Sequence, residues 1–333
     1  MPLFKSDPQS LCAMLGVRHP LIQAGMVWCT GADLAVAVGR AGGLGTLGAG
    51  SMYPDELIHE IQKVKAVWGG PFAVNVPLLY PAVEEHMATI VRERVPVVFT
   101  SAGSPRKWTQ YLKESGAVVI HVVSSAVFAR KAVDAGVDAV VAEGFEAGGH
   151  NGREETTTLC LVPEVVDAVD VPVIAAGGLH DARSLLAALA LGASGVQMGS
   201  RFVMTRENPA HAAFKRRIAE AQAGETRLML KDVTPVRLLR GEEGGFFDQV
   251  AAAEERGDDV NALRSLLGRG RAKQGMRMGD LKEGELEIGQ VSALLNDLPG
   301  AGELVERIVS EYRAFGTQGM SPGFDWEGLH APQ

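Results

Sequence analysis

Between Leu21 and Met198 the chain repeats one pattern: a short run rich in Val, Ile and Leu, then an amphipathic stretch, several of which end at a glycine. Runs this short and uniformly apolar are strands buried on both faces, as in a parallel sheet, and the stretches between them are the helices that cover it. The strand candidates are LIQ (21–23), LGTL (44–47), FAVNV (72–76), PVVFT (96–100), AVVIHVV (117–123), DAVVAE (138–143), PVIAA (172–176) and SGVQM (194–198). Seven helix candidates lie between them, from ADLAVAVGRAG to ARSLLAALALG, and the terminal glycines suit left-handed caps. Eight strands alternating with seven helices is the count of a (β/α)8 barrel, whereas a doubly wound sheet usually has fewer strands and a phosphate loop after its first. The expected fold is therefore α/β, a TIM barrel.

Beyond Met198 the character changes. Helices are expected over about 208–223, 247–256, 261–267 and 300–314, and no strand-like run follows any of them. This predicts a barrel core over 1–205 and a C-terminal helical extension over 206–333 that includes the barrel-closing helix. A barrel of roughly 250 residues absorbs most of a 333-residue chain. GDLKEGELEIGQ is read as a surface loop running into a helix.

Composition then excludes several functions. With a formal net charge of -8 and its Lys and Arg dispersed among acids, the chain has no electrostatic footprint for nucleic acid, and small-molecule substrates are expected. Cys12, Cys29 and Cys160 are far apart and form no CxxC pair, so no zinc site and no disulfide framework are expected. MPLFKSDPQS is no export signal and no window holds 18 uninterrupted apolar residues, so neither export nor a membrane span is expected. A cytoplasmic protein fits. The extension is read as a lid, an acyl pocket or the contact of a homodimer.

In this fold the chemistry sits at the C-terminal ends of the strands. Gly177 and Gly178 end one strand, and Gly199 and Ser200, after Gln197 and Met198, end the next. Glycines there make tight turns or let the backbone approach a phosphate, and two such pairs on adjacent strands favour the phosphate. Toward the first and third strands, Gly25 and Met26 offer close approach and a soft apolar surface, though Met26 also suits core filling, and Asn75 offers an amide at the end of an apolar strand. A flat heteroaromatic ring bearing a phosphate suits this set, and flavin mononucleotide (FMN) is such a molecule. AEGFEAGGHNG (142–152) opens a connection longer than the two to six residues usual for a βα loop. Within it, His150 can exchange a proton near neutral pH, and Glu143 either meets a ribityl hydroxyl or serves as a cap. Glu146 and His150 are not a helical metal pair, because Gly148 and Gly149 lie between them, and no metal is expected.

HPLIQAGMVW, AGGLGTLGAG, PFAVNVPLL, AEGFEAGGHNG, PVIAAGGLHDA and GVQMGSRFV, in this order and spacing, make the chain resemble the nitronate monooxygenase family, formerly 2-nitropropane dioxygenases. It also resembles that family's close relatives, the flavin-type enoyl-ACP reductases of the FabK kind. The resemblance runs from about Leu11 beyond Glu207 and resumes at GELEIGQVSALL. It implies FMN with its phosphate at Gly178 and Gln197 to Ser200, other contacts from Gly25, Met26, Asn75, Glu143 and Gly148, and His150 as the catalytic histidine. The leading expectation is oxidation of alkyl nitronates with dioxygen; the alternative is reduction of an enoyl thioester, or a quinone, with NADH or NADPH as donor. Two departures lean to the alternative: Glu143 where nitronate monooxygenases often carry Gln, and a short connection between the third and fourth strands.

Overall fold

The computed structural model describes residues 7–318. Eight strands run parallel: β1 (Leu21–Gln23), β2 (Thr46–Gly48), β3 (Ala73–Pro77), β4 (Val97–Ser101), β5 (Val118–Val123), β6 (Ala139–Glu143), β8 (Val173–Ala176) and β9 (Gly195–Met198). Their order is β1-β9-β8-β6-β5-β4-β3-β2, and backbone bonds from Leu44 N–H to the Leu21 carbonyl and from Gln23 N–H to the Leu44 carbonyl join the last strand to the first. The α/β barrel expected from the sequence is the fold observed.

Side chains alternate across each strand. Ile22, Leu44, Ala73, Val97, Phe99, Ile120, Ala139, Val141 and Ile174 fill the interior. Their neighbours Leu21, Val74, Val98, Val119, Val140, Val173 and Val196 pack outward. Against that outer layer lie α2 (Ala32–Arg40), α3 (Pro54–Val67), α4 (Val83–Arg92), α5 (Thr109–Glu114), α6 (Ala126–Asp134), α7 (Thr158–Ala168) and α8 (Ala182–Ala190). The helix that precedes β1, α1 (Pro8–Leu15), plugs the interior with Leu11 and Leu15. Asp7 accepts from Ser10 N–H at its start, and Gly16 ends it at φ 68°.

The closing helix is α13 (Ala301–Gln318), which packs between α8 and α2. Residues between β9 and α13 are thus an insertion in the last βα unit. They begin with the four-residue α9 (Ser200–Val203) and include α10 (Ala212–Ala219), α11 (Phe246–Arg256) and α12 (Val260–Leu267). The expected helix over 208–223 is shorter, because Asn208 is buried as a tie: its amide donates to the Cys29 carbonyl (2.7 Å) while its oxygen accepts from Ala210 N–H. The insertion also departs from the expected purely helical character. β10 (Thr226–Met229) and β11 (Val236–Leu239) form an antiparallel hairpin, which pairs in turn with β7 (Gly149–His150) from the loop after β6. Two small cores hold the insertion. One joins Phe214, Ile218, Leu286 and Ile288 to Cys29, with Met26, Val27 and Trp28 of the loop after β1 packed on it; the other sets the hairpin on α11 and α12.

Candidate active site

The inward parity of each strand carries past the apolar interior to its C-terminal end. Asn75 stands two residues beyond Ala73, Glu143 two beyond Val141, and Gln197 two beyond Gly195. The barrel is therefore apolar inside and polar at its mouth. By the same alternation Met198 turns the other way: it is 1% exposed and packs under the helices, and its carbonyl accepts from Ala24 N–H. Its side chain is not brought to the mouth with the others.

On one side of the mouth, a Cβ on Gly25 would stand 2.5 Å from the Asn75 Cβ, so glycine lets the two strand ends meet. The Thr46 hydroxyl beside them is buried and has no hydrogen-bond partner. Met26 reaches the end of the neighbouring strand β9, its sulfur 3.6 Å from where a Gly199 Cβ would lie. Thr30 holds that loop in place, donating to the Met26 carbonyl (3.0 Å) and accepting from Gly48 N–H (2.7 Å).

The two glycine pairs differ in role. Gly178, at φ 69°, faces the Glu146 side chain of the loop after the neighbouring β6, whereas Gly177 backs onto the Gly144 carbonyl and Thr158 and serves close packing. The helix that follows them offers no free anion site, since Asp181 caps α8 with its own carboxylate, accepting from Ser184 N–H at 2.9 Å. Of the two helices that follow the glycine pairs, the short α9 alone is uncapped by a side chain. Ser200 at its start accepts from Gly289 N–H (2.8 Å). Arg201 is turned away, its guanidinium buried against Asp297 (2.7 Å).

Residues 144–157 are a fixed structure. Glu146 accepts from the backbone and hydroxyl of Thr158 at the start of α7, Asn151 donates to the Ala147 and Gly149 carbonyls, and Arg237 donates twice to the Phe145 carbonyl. That bonding of Glu146 explains the residue without a metal. Among the described residues no group of three His, Cys, Asp or Glu side chains could hold a metal ion, and no helix is long and apolar enough to cross a membrane. His150 lies opposite Val236 of β11 and is exposed at the rim. Protein packed along its other sides desolvates it and holds its pKa below the ordinary value, while Glu285 partly opposes that effect.

Glu285 was not expected, nor was its neighbour Glu287. Segment 285–289, read from sequence as surface loop, is a wall of the site: Gly289 meets Ser200, Gln290 N–H donates to the Glu146 carbonyl, and Glu287 reaches Gly149. Burial pushes Glu285 and Glu287 up to about 7, the nearby Glu287 adding to the shift of Glu285. Glu143 is also pushed to about 7 by burial.

A titration consequence follows for Glu143. Its folded pKa exceeds its ordinary value of 4.5, so the folded chain keeps a proton that the unfolded chain has lost. The associated stability is fully present below that value and vanishes as pH climbs through about 7. In cofactor-free protein, Glu143→Gln is expected to gain melting temperature on the parent as pH rises across this window. A difference that stays flat with pH contradicts the assignment.

The family model for nitronate monooxygenase matches residues 9–90 and 79–311. The chain is 36% identical to (3aS,4S,5R,7aS)-5-hydroxy-7a-methyl-1-oxo-octahydro-1H-indene-4-carboxyl-CoA dehydrogenase of Mycobacterium tuberculosis, over 90% of this chain and 94% of that protein. It is 31% identical to a probable nitronate monooxygenase of Staphylococcus saprophyticus, over 90% and 96%. The solved structure of FabK from Thermotoga maritima superposes with a TM-score of 0.87 at 37% identity, covering 93% of this chain and 97% of that one. The chain belongs to the nitronate monooxygenase family and is an oxidoreductase of that family.

Proposed function

We propose that the protein is an FMN-dependent oxidoreductase of acyl thioesters, with a nicotinamide dinucleotide as its electron partner. The fit to FMN rests on the chain's own residues: a polar mouth of Asn75, Glu143 and Gln197 over an apolar interior, an unpaired buried Thr46 hydroxyl, and glycines at 25, 148 and 178. Gly178, Gly199 and Ser200 would hold the phosphate; Gln197, Glu143 and Asn75 would meet the polar edge and chain, with Gly25, Met26 and Gly148 beside the ring. When bound, FMN supplies the two-electron exchange that no side chain can.

His150 then has one task, to hold or move a proton at the carbon next to the thioester carbonyl; its depressed pKa favours the neutral imidazole near neutrality, and the charge of Glu285, which opposes that shift, favours the protonated form that donates. The β7–β11 pairing fixes its backbone, so the imidazole needs only side-chain rotation to serve the substrate.

The observation that carries the substrate class is the acid wall around His150. Burial already disfavours the charged forms of Glu285 and Glu287, and an anionic substrate brought beside them would meet like charge whenever either ionises, whereas a thioester carbonyl is neutral. Relatives named for a CoA thioester and for FabK, at 36% and 37% identity, support this choice. Oxidation of alkyl nitronates is the second reading, favoured by the family match and the staphylococcal relative.

Anaerobic mixing of the purified yellow protein separates them. Bleaching by NADH or NADPH, followed by recovery of colour with a 2-enoyl-CoA, is the expected result. Bleaching by an alkyl nitronate alone overturns the thioester reading.

A further inference from the structure

We infer that Glu285 and Glu287 act as a coupled carboxyl pair governing the charge of His150, with Glu285 its counter-ion and Glu287 the neighbour that keeps Glu285 protonated. The inference rests on His150 as the proton-moving residue of the proposed reaction. Glu285 is then a positioning residue, acting through the imidazole.

The geometry comes from alternation in the segment Glu285–Leu286–Glu287–Ile288. Leu286 and Ile288, each 1% exposed, point into the core of the insertion. An extended chain must turn Glu285 and Glu287 to the opposite face, toward the β7–β11 pairing that carries His150. The backbone cannot slip: Leu239 N–H donates to the Leu286 carbonyl, Glu285 N–H donates to the Arg271 carbonyl, and Glu287 bridges Leu238. Glu287 lies so close to Gly149 that a Cβ there would stand 2.6 Å from its carboxylate. The second carboxyl is thus held against the residue that precedes His150.

Structural carboxylates are normally paired, and these two are not. Among the described residues neither forms an ion pair with a basic side chain, and Arg271, the cation facing Glu285, is 3.4 Å from Glu283 instead. The other groups facing Glu285 are Glu287, His150 and the backbone of Ala272. Glu287 also faces Cys29, whose thiol burial and this carboxylate push up to about 12. Burial disfavours ionisation of both acids, and the charge of Glu287 further disfavours that of Glu285, which then keeps its proton. Loss of that proton places a negative charge opposite the imidazole and favours its protonated form. The trio is then linked: ionisation of the pair raises the proton affinity of His150, and protonation of His150 draws the pair toward ionisation.

Opposite shifts from neighbouring substitutions test this. Glu285→Gln, which keeps size and hydrogen bonding, is expected to lower the NMR titration midpoint of His150 by about half a unit or more. Glu287→Gln lets Glu285 ionise earlier and is expected to raise that midpoint. The falling limb of the kcat profile against pH should follow each shift, with KM little changed, and Glu285→Asp should recover part of the loss. Equal shifts in both variants, or shifts below about 0.2 units, overturn the coupling. The NMR titration requires no substrate. A failed thioester assay with opposed shifts overturns the proposed reaction alone, whereas turnover with unmoved midpoints overturns the pair alone.

Discussion

His150→Ala is expected to lower turnover of the acyl thioester about 100- to 10,000-fold, the range for loss of a general acid or base, while the protein keeps its fold and its FMN. The reasoning is local. The residue joins the hairpin through its backbone, opposite Val236, and stands at the rim outside the apolar cores, so truncation removes a proton carrier without opening a core cavity. The anchor assigned to the cofactor lies elsewhere, at Gly178, Gly199 and Ser200. Single-turnover measurements should therefore show flavin content equal to the parent and a slow step that no longer titrates with the imidazole. A loss under about threefold would place proton transfer on another group.

Gly148→Val is expected to strip the protein of FMN and to lower its stability by about 1–3 kcal/mol, the usual cost of overpacking. A Cβ at Gly148 would lie 2.4 Å from the Ile288 carbonyl carbon and 2.6 Å from the Gly289 nitrogen, both backbone atoms that cannot rotate aside. Relief requires segment 288–289 to move. That movement breaks the bond from Gly289 N–H to Ser200 and the bond from Gln290 N–H to the Glu146 carbonyl. It would open the mouth between the assigned phosphate anchor and the His150 loop in one step. Flavin absorbance per chain and the urea midpoint check both halves of the prediction; retention of full colour contradicts it.

How much of this was legible in the sequence depended on the range of the signal. The barrel strands are buried on both faces, so Val97 to Phe99 or Val140 to Ala142 read as continuous apolar runs, and their number names the fold. Alternation also separates Gln197 from Met198, whose side chain turns to the outer layer. The hairpin was missed for a different reason. Arg227 and Arg237 interrupt its strands and Pro235 precedes the second, yet Lys231 to Thr234 between two Leu-rich runs is a turn signal. In the segment holding Glu285 and Glu287, charge suggested solvent, while the alternating Leu286 and Ile288 already marked an extended chain with one buried face. What no local pattern could supply was its partner: Gly148 and Ser200 are far away in sequence, and only the insertion of residues 200–300 before the closing helix brings them together.

The length of the loop that carries His150 is legible in the sequence, but its rigidity comes from long-range bonds. Arg237 to the Phe145 carbonyl and Asn151 N–H to the Pro235 carbonyl fasten it to the hairpin. The extension therefore does more than cover the barrel: it builds the surface on which His150 is presented.

In a crystal structure of the protein soaked with FMN, the phosphate oxygens are expected within hydrogen-bond distance of the backbone N–H groups at Gly178, Gly199 and Ser200, with the ring lying toward Asn75 and His150 able to turn onto its open face. A phosphate held at another pair of strand ends, or an imidazole blocked from the ring by the hairpin, would contradict it.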